Sequence, residues 1–246
     1  MPFEYKKDIS FEEQINISIA GTKHILDILE IHEVKATFFS TVIFARNAPE
    51  IIRRIVEGGH ELASHGYYHS SFETVHLGTS KRVLEELSGQ EIKGYRMPRM
   101  KPVDEKEIAK AGYSYNSSIN PTWLPGRYNN LSKPRKFFKE AEVWQIPASV
   151  SPVLRFPLFW LSFHNLPLSV YRWLAQITYK KDGYLNIYFH PWEFTELGDK
   201  ERFGFPEYVS RNSGDKMIKR MDSFIGDLKQ NGFIFSTLSD FIRTLK

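Results

Sequence analysis

The run ELASHGYYHS, residues 61–70, sets His65 and His69 four residues apart around a glycine and two tyrosines. Neutral imidazole is a good ligand for zinc and related divalent ions. In HExxH motifs two such histidines grip one ion from a helix face, and the residue after the first histidine is a glutamate that acts as base. Here that residue is Gly66, which weakens a helix and suits a tight turn aiming both imidazoles at one point. Taken alone the spacing also fits an ordinary histidine-bearing loop, so other residues must complete a site.

Two further segments offer them. The run GYRMP ends in Arg96, a fixed cation whose planar fork suits a carboxylate, with a surface ion pair as the plainer alternative. YLNIYFHP delivers His190 ahead of Pro191, Trp192 and Glu193. An imidazole there can donate a proton to a leaving amine, or can simply be a hydrogen-bonded core histidine.

These residues need elements to position them. At 246 residues, with 41% hydrophobic and 25% charged side chains, the chain suits one globular domain, 1–246. Its net charge is +4, and the basic residues are scattered except for Arg127, Lys133, Arg135, Lys136 and Lys139. That loop reads as a solvated surface, and no nucleic-acid partner is expected. With no cysteine, any metal must be held by His, Asp or Glu. MPFEYKKDIS lacks the apolar core of a signal peptide, so a cytoplasmic location is expected. Arg155, Pro157, His164 and Pro167 interrupt the apolar segment 150–177, which is read as core or lid rather than a membrane helix.

Ser10 and Glu13 resemble a capping box opening a helix over 11–32, although the alternation in INISI allows a short strand instead. VKATFF reads as a strand, Asn47 and Pro49 open a helix closed by Gly58-Gly59, and HELASH is the next strand. Helix 79–88, strand GYRMP, helix 103–111, strand YSYNSS and strand VWQIP follow. A helix near 169–179, strand YLNIYFHP, a helix over 214–230, strand FIFSTL and a short last helix complete the chain. Strands alternating with helices predict an α/β fold around a parallel sheet or barrel, whose strand C-terminal ends carry the chemistry. His65, His69, Arg96 and His190 all fall at such ends.

KATFF, GHELASHGYYH, GYRMP and YFHPWEF, in this order, resemble the motifs of the NodB-homology polysaccharide deacetylases, and most closely the branch whose last motif reads HPWE. The resemblance runs from about residue 20 to residue 240. It implies a distorted (β/α) barrel of about seven strands and hydrolysis of acetyl groups from N-acetylated sugars of a polysaccharide or lipid-linked glycan precursor. The implied cofactor is one divalent metal, zinc first, with cobalt, nickel or manganese as alternatives. His65 and His69 would then be ligands, His190 the general acid, and Arg96 the residue that orients the catalytic base. Trp192 and Glu193 would shape or tune the pocket around His190, and Arg99 would add a carboxylate or phosphate contact on the substrate side. With the aromatic segment 156–173, peripheral contact with a membrane-held substrate is a further expectation.

The chain departs from the family in its first motif, a strand ending in acidic residues that supplies the base and a third ligand. MPFEYKKDIS contains no such strand, and Glu4 and Asp8 are poor substitutes. The expectation is that the chain begins after that motif, with the first strand missing, or that the motif has been lost. Lower metal affinity and exposed edge hydrogen bonds on the neighbouring strands follow from either case. A catalytically silent carbohydrate-binding barrel is therefore the competing reading, and a hydrolase of small non-sugar amides a third.

Overall fold

Residues 7–245 are described by a computed structural model. In chain order its elements begin with α1 (Phe11–Ile31), β1 (Thr37–Ser40), α2 (Val42–Asn47), α3 (Pro49–Glu57), β2 (Glu61–Ser64), α4 (Val75–Ser88) and β3 (Gly94–Tyr95). They continue with α5 (Glu105–Lys110), β4 (Tyr115–Asn116), β5 (Trp123–Leu124), β6 (Tyr128–Asn129), β7 (Phe138–Glu140) and β8 (Val143–Gln145). The remainder is helical: α6 (Trp160–Asn165), α7 (Leu168–Asp182), α8 (Lys200–Phe203), α9 (Glu207–Ser210), α10 (Asp215–Gln230) and α11 (Leu238–Arg243). The chain divides into two units, each made of three segments.

One unit comprises Lys35–Pro157, Ile177–Asn186 and the residues from Phe235 onward, and it holds the sheet. Six strands lie in the order β1-β2-β3-β4-β8-β7, parallel except for β7, which runs antiparallel to β8. The β-branched and aromatic residues of VKATFF form β1 as expected, paired with β2 from Thr37–Glu61 to Ser40–Ser64. All four residues of β2 are buried. The α/β class with a mostly parallel sheet is as the alternation predicts, and β1 lies at a sheet edge.

Two expected strands are absent from this sheet among the described residues. YLNIYFHP forms no ladder, and the outer edge of β8 pairs with β7 instead. Asn186 is tied alongside the chain that follows β8, its carbonyl accepting from Ser149 N at 2.8 Å. FIFSTL also forms no ladder. Its end is fixed by side chains instead: Leu238 N donates to Thr37 Oγ1 at 2.8 Å, and Ser239 N donates to Glu61 Oε2 at 3.0 Å. Glu61 is buried without a cation, but Thr37 Oγ1, Tyr115 OH and both donors of Ser239 satisfy it.

The other unit contains α1, Leu158–Gln176 and Ile187–Ile234. INISI is helical, and α1 begins where Ser10 Oγ accepts from Glu13 N at 3.1 Å. Its buried stripe includes Thr22, Ile25, Leu26, Ile28 and Leu29. Phe163, Tyr171 and Phe224 pack edge to face with centroids 4.9 to 5.4 Å apart, each pair worth about 0.5–1.5 kcal/mol beyond its buried area. The apolar segment around them is thus largely core, although Trp173 is exposed. No described helix is long and apolar enough to cross a membrane.

Candidate functional site

In the sheet-bearing unit, β2 ends at Ser64 and the chain turns at Gly66, whose φ of +83° is one that side-chain-bearing residues rarely adopt. The turn is held by Gly66 N donating to Ser64 Oγ at 3.2 Å and by Val42 N donating to Gly66 O at 3.1 Å. His65 and His69 therefore sit on a loop rather than a helix, their ring centroids 5.4 Å apart. Tyr67 braces this loop against His76 at 5.6 Å, with Arg46 over its ring at 5.7 Å.

The Nδ1 atom of His65 lies 2.7 Å from the carbonyl oxygen of Arg96. A carbonyl only accepts, so Nδ1 carries the proton and Nε2 is the acceptor nitrogen. This is how metal-binding imidazoles are held in the correct tautomer. Two Zn–N bonds of about 2.1 Å at a tetrahedral angle put ring centroids about 5 Å apart, close to the observed separation. The pair therefore fits two positions of a divalent ion's shell. No group of three ligating residues occurs among the described residues. Asp8 is exposed ahead of α1, and Glu4 lies outside the described residues.

Arg96 is buried beside the same strand ends. Its Nε donates to Ser117 O at 2.9 Å and its Nη2 to Ser117 Oγ at 2.7 Å, while the guanidinium lies 4.3 Å from the centroid of the Phe39 ring. Ser117 and Ser118, which follow β4, are buried supports: Ser118 Oγ accepts from Met97 N at 2.8 Å. Arg99 is exposed and has a positive φ of 60°.

In the other unit, His190 precedes a single 3₁₀ turn, Pro191–Phe194. That turn folds Glu193 back beneath it: Glu193 Oε1 accepts from His190 N at 2.5 Å and lies 2.9 Å from His190 Nδ1. Glu193 is fully buried, and its Oε2 lies 3.1 Å from Nε2 of the equally buried His164 on α6. Burial pushes the Glu193 carboxyl up, but hydrogen bonds from His164 and His190, together with their charge, outweigh it and hold it below the usual 4.5. Trp192 stacks on the His190 ring at 5.5 Å and on Phe205 at 5.3 Å. Trp160 meets His190 edge-on at 5.4 Å. Sequence reasoning missed His164 as the partner of Glu193. The only signal for His164 was a histidine in an otherwise apolar run, which on burial needs a polar partner.

In parallel α/β folds the loops at the strand C-terminal ends carry the functional groups, and His65 and His69 lie on such a loop. Residues 11–115 match the family model for polysaccharide deacetylase. An uncharacterised 30.6 kDa protein of Geobacillus stearothermophilus is 34% identical over 118 residues, covering 44% of each chain. Peptidoglycan-N-acetylmuramic acid deacetylase PdaA of Bacillus subtilis is 30% identical over 76 residues, covering 31% of this chain and 28% of the relative. The chain thus spans less than half the length of these curated relatives. A pseudoenzyme of the carbohydrate esterase family CE4 from Bacillus anthracis shares the fold, with TM-score 0.55 at 14% identity over 91% of this chain and 60% of that one. Residues 11–115 are thus similar to polysaccharide deacetylases, and the fold is shared with the CE4 neighbour.

Proposed function

We propose that residues 1–246 act as one hydrolytic domain that removes acetyl groups from an N-acetylated glycan with the help of one divalent metal, zinc in the first instance. The observation that carries this reading is the 2.7 Å contact between His65 Nδ1 and Arg96 O, which presents Nε2 of a strand-end imidazole as a ligand next to His69. His65 and His69 are the residues that would hold the ion. A divalent ion there supplies Lewis acidity toward an amide carbonyl and acidifies water. His190 is assigned as general acid, since a carboxylate on Nδ1 leaves Nε2 to carry the proton given to a leaving amine. Trp192, stacked on His190 and Phe205, is assigned to shaping the substrate pocket around His190. Arg96 orients the His65 ring through its own carbonyl, and Arg99 is assigned to the substrate side.

The test is elemental analysis of the purified chain beside His65→Ala/His69→Ala. Near-stoichiometric zinc lost in the double variant supports the assignment, and zinc retained by the double variant removes it. The second reading, glycan binding without turnover, is favoured by the absence of a third ligating residue beside His65 and His69 among the described residues. It predicts glycan affinity with no acetate released at any metal concentration.

A further inference from the structure

Within the sheet-bearing unit, the segment after β8 forms a tight loop that displays apolar side chains to water. Val150 pairs antiparallel with Pro157, Ser151 N donates to Phe156 O at 2.8 Å, and Phe156 N donates to Ser151 Oγ at 3.0 Å. Arg155 takes a φ of +51°, costly for a residue with a side chain, and is held there from several directions. Its N donates to Ser151 O at 3.2 Å, its carbonyl accepts from Thr122 Oγ1 at 2.7 Å, and Nη1 donates to Pro121 O at 3.2 Å and to Lys133 O at 2.8 Å. The loop is thus stitched to the β5–β6 hairpin and to the chain leaving it.

At the tip of this structure Val153 is 87% exposed and Leu154 86%, while Trp123 on β5 is 60% exposed. Two adjacent aliphatic side chains held almost wholly in water by a strained turn gain nothing from packing within the chain. The adjoining sequence is basic, with Glu105 near Lys133 and Asp182 on Arg135 as acids that approach it. Neither 108–139 nor 143–181 contains an aspartate or glutamate, whereas Arg127, Lys133 and Lys136 are exposed there. Among the neighbouring cations Arg135 is neutralised by Asp182.

We propose that the 151–157 loop and the adjoining 122–136 segment form a docking face for an anionic phospholipid surface, with Val153, Leu154 and Trp123 entering the headgroup layer and Lys133 and Lys136 meeting phosphates. Small apolar tips with an aromatic belt residue and basic neighbours are what interfacial binding requires. A second copy of the chain is disfavoured as occupant, because a two-fold contact would face this basic patch with itself. A nucleic acid would satisfy the charge but leave Val153 and Leu154 without an apolar partner.

The experiment is co-sedimentation of the full chain with vesicles of phosphatidylcholine alone and of equimolar phosphatidylcholine and phosphatidylglycerol. The expected result is binding to the anionic vesicles at least about tenfold above the neutral ones, weakened by salt. Val153→Asp/Leu154→Asp is expected to lose about tenfold of that partition, and Lys133→Glu/Lys136→Glu to lose its salt dependence, with circular dichroism unchanged because every altered side chain is exposed. Equal partition to both vesicles, no partition, or an unaltered Val153→Asp/Leu154→Asp variant would overturn the proposal. So would concentration-dependent self-association abolished by that variant without vesicle binding. The readout involves no turnover, so it stands or falls separately from the deacetylase assignment.

Discussion

His164 and Glu193 are both fully buried, with His164 Nε2 3.1 Å from Glu193 Oε2. The other oxygen of the same carboxylate is 2.9 Å from His190 Nδ1, so one buried anion bridges two imidazoles. His164 Nδ1 has no hydrogen-bond partner, so Glu193 is the one side-chain hydrogen-bond partner of the His164 ring among the described residues. An ionised Glu193 keeps the proton of His190 on Nδ1 and orients its ring.

Glu193→Gln removes the charge and leaves one imidazole facing an amide donor. The expected loss is about 2–3 kcal/mol of folding free energy, the range for hydrogen bonds to a buried charge. Because the folded value of Glu193 is depressed, its contribution is present above the unfolded value near 4.5 and is lost as pH falls through the lower folded value. Urea unfolding at pH 7 and across the acid limb checks this: the parent should lose stability more steeply below pH 4.5 than the variant.

His60 makes an opposite test. Burial, then the charges of Lys35 and Arg54, lower it to about 4, and its Nδ1 accepts from Ala36 N at 3.3 Å. The unfolded chain therefore binds the proton first. Stability should fall as pH drops from 6.5 to about 4. That fall amounts to about 3 kcal/mol at most. A His60→Gln variant should show a flatter dependence over this window in the same urea series.

Gly21 of α1 lies against the turn that carries His190. A Cβ there would fall 1.8 Å from the carbonyl oxygen of Pro191. Gly21→Ala should gain helix propensity but lose more to the clash, a net cost of about 1–3 kcal/mol. Thermal unfolding measures the cost. A more stable variant would show that α1 does not set the position of Pro191.

Arg96→Lys tests the support under the histidine loop. A lysine cannot span Ser117 O and Ser117 Oγ together, and it stacks less well on Phe39. A loss of about 1–3 kcal/mol is expected in denaturant unfolding. Weaker metal retention should accompany it.

The sequence made much of this legible because several local signals agree with the fold. The Ser10 cap, the β-branched VKATFF run and Pro49 at the first turn of α3 are satisfied within a few residues, so they read directly. The histidine loop was legible from Gly66, whose positive φ is the reason for a glycine there. YLNIYFHP and FIFSTL misled because period and composition report a buried extended chain, whereas pairing depends on which edge is open. β7 pairs with the outer edge of β8, and the end of FIFSTL bonds to side-chain oxygens of Thr37 and Glu61 rather than to a strand backbone. The helix α2 and the hairpin β5–β6 were short enough to escape any periodicity. His164 was invisible as a partner because nothing local links it to Glu193, 29 residues on.

The most direct test of the account is acetate release from a soluble N-acetylglucosamine oligomer by the zinc-loaded chain, by the chelated chain, and by zinc-loaded His190→Ala. The account predicts release that chelation abolishes and that zinc restores, with His190→Ala slower by about 10²–10⁴-fold while oligomer affinity is kept. No acetate from the zinc-loaded chain, or equal rates with and without the His190 imidazole, would contradict it.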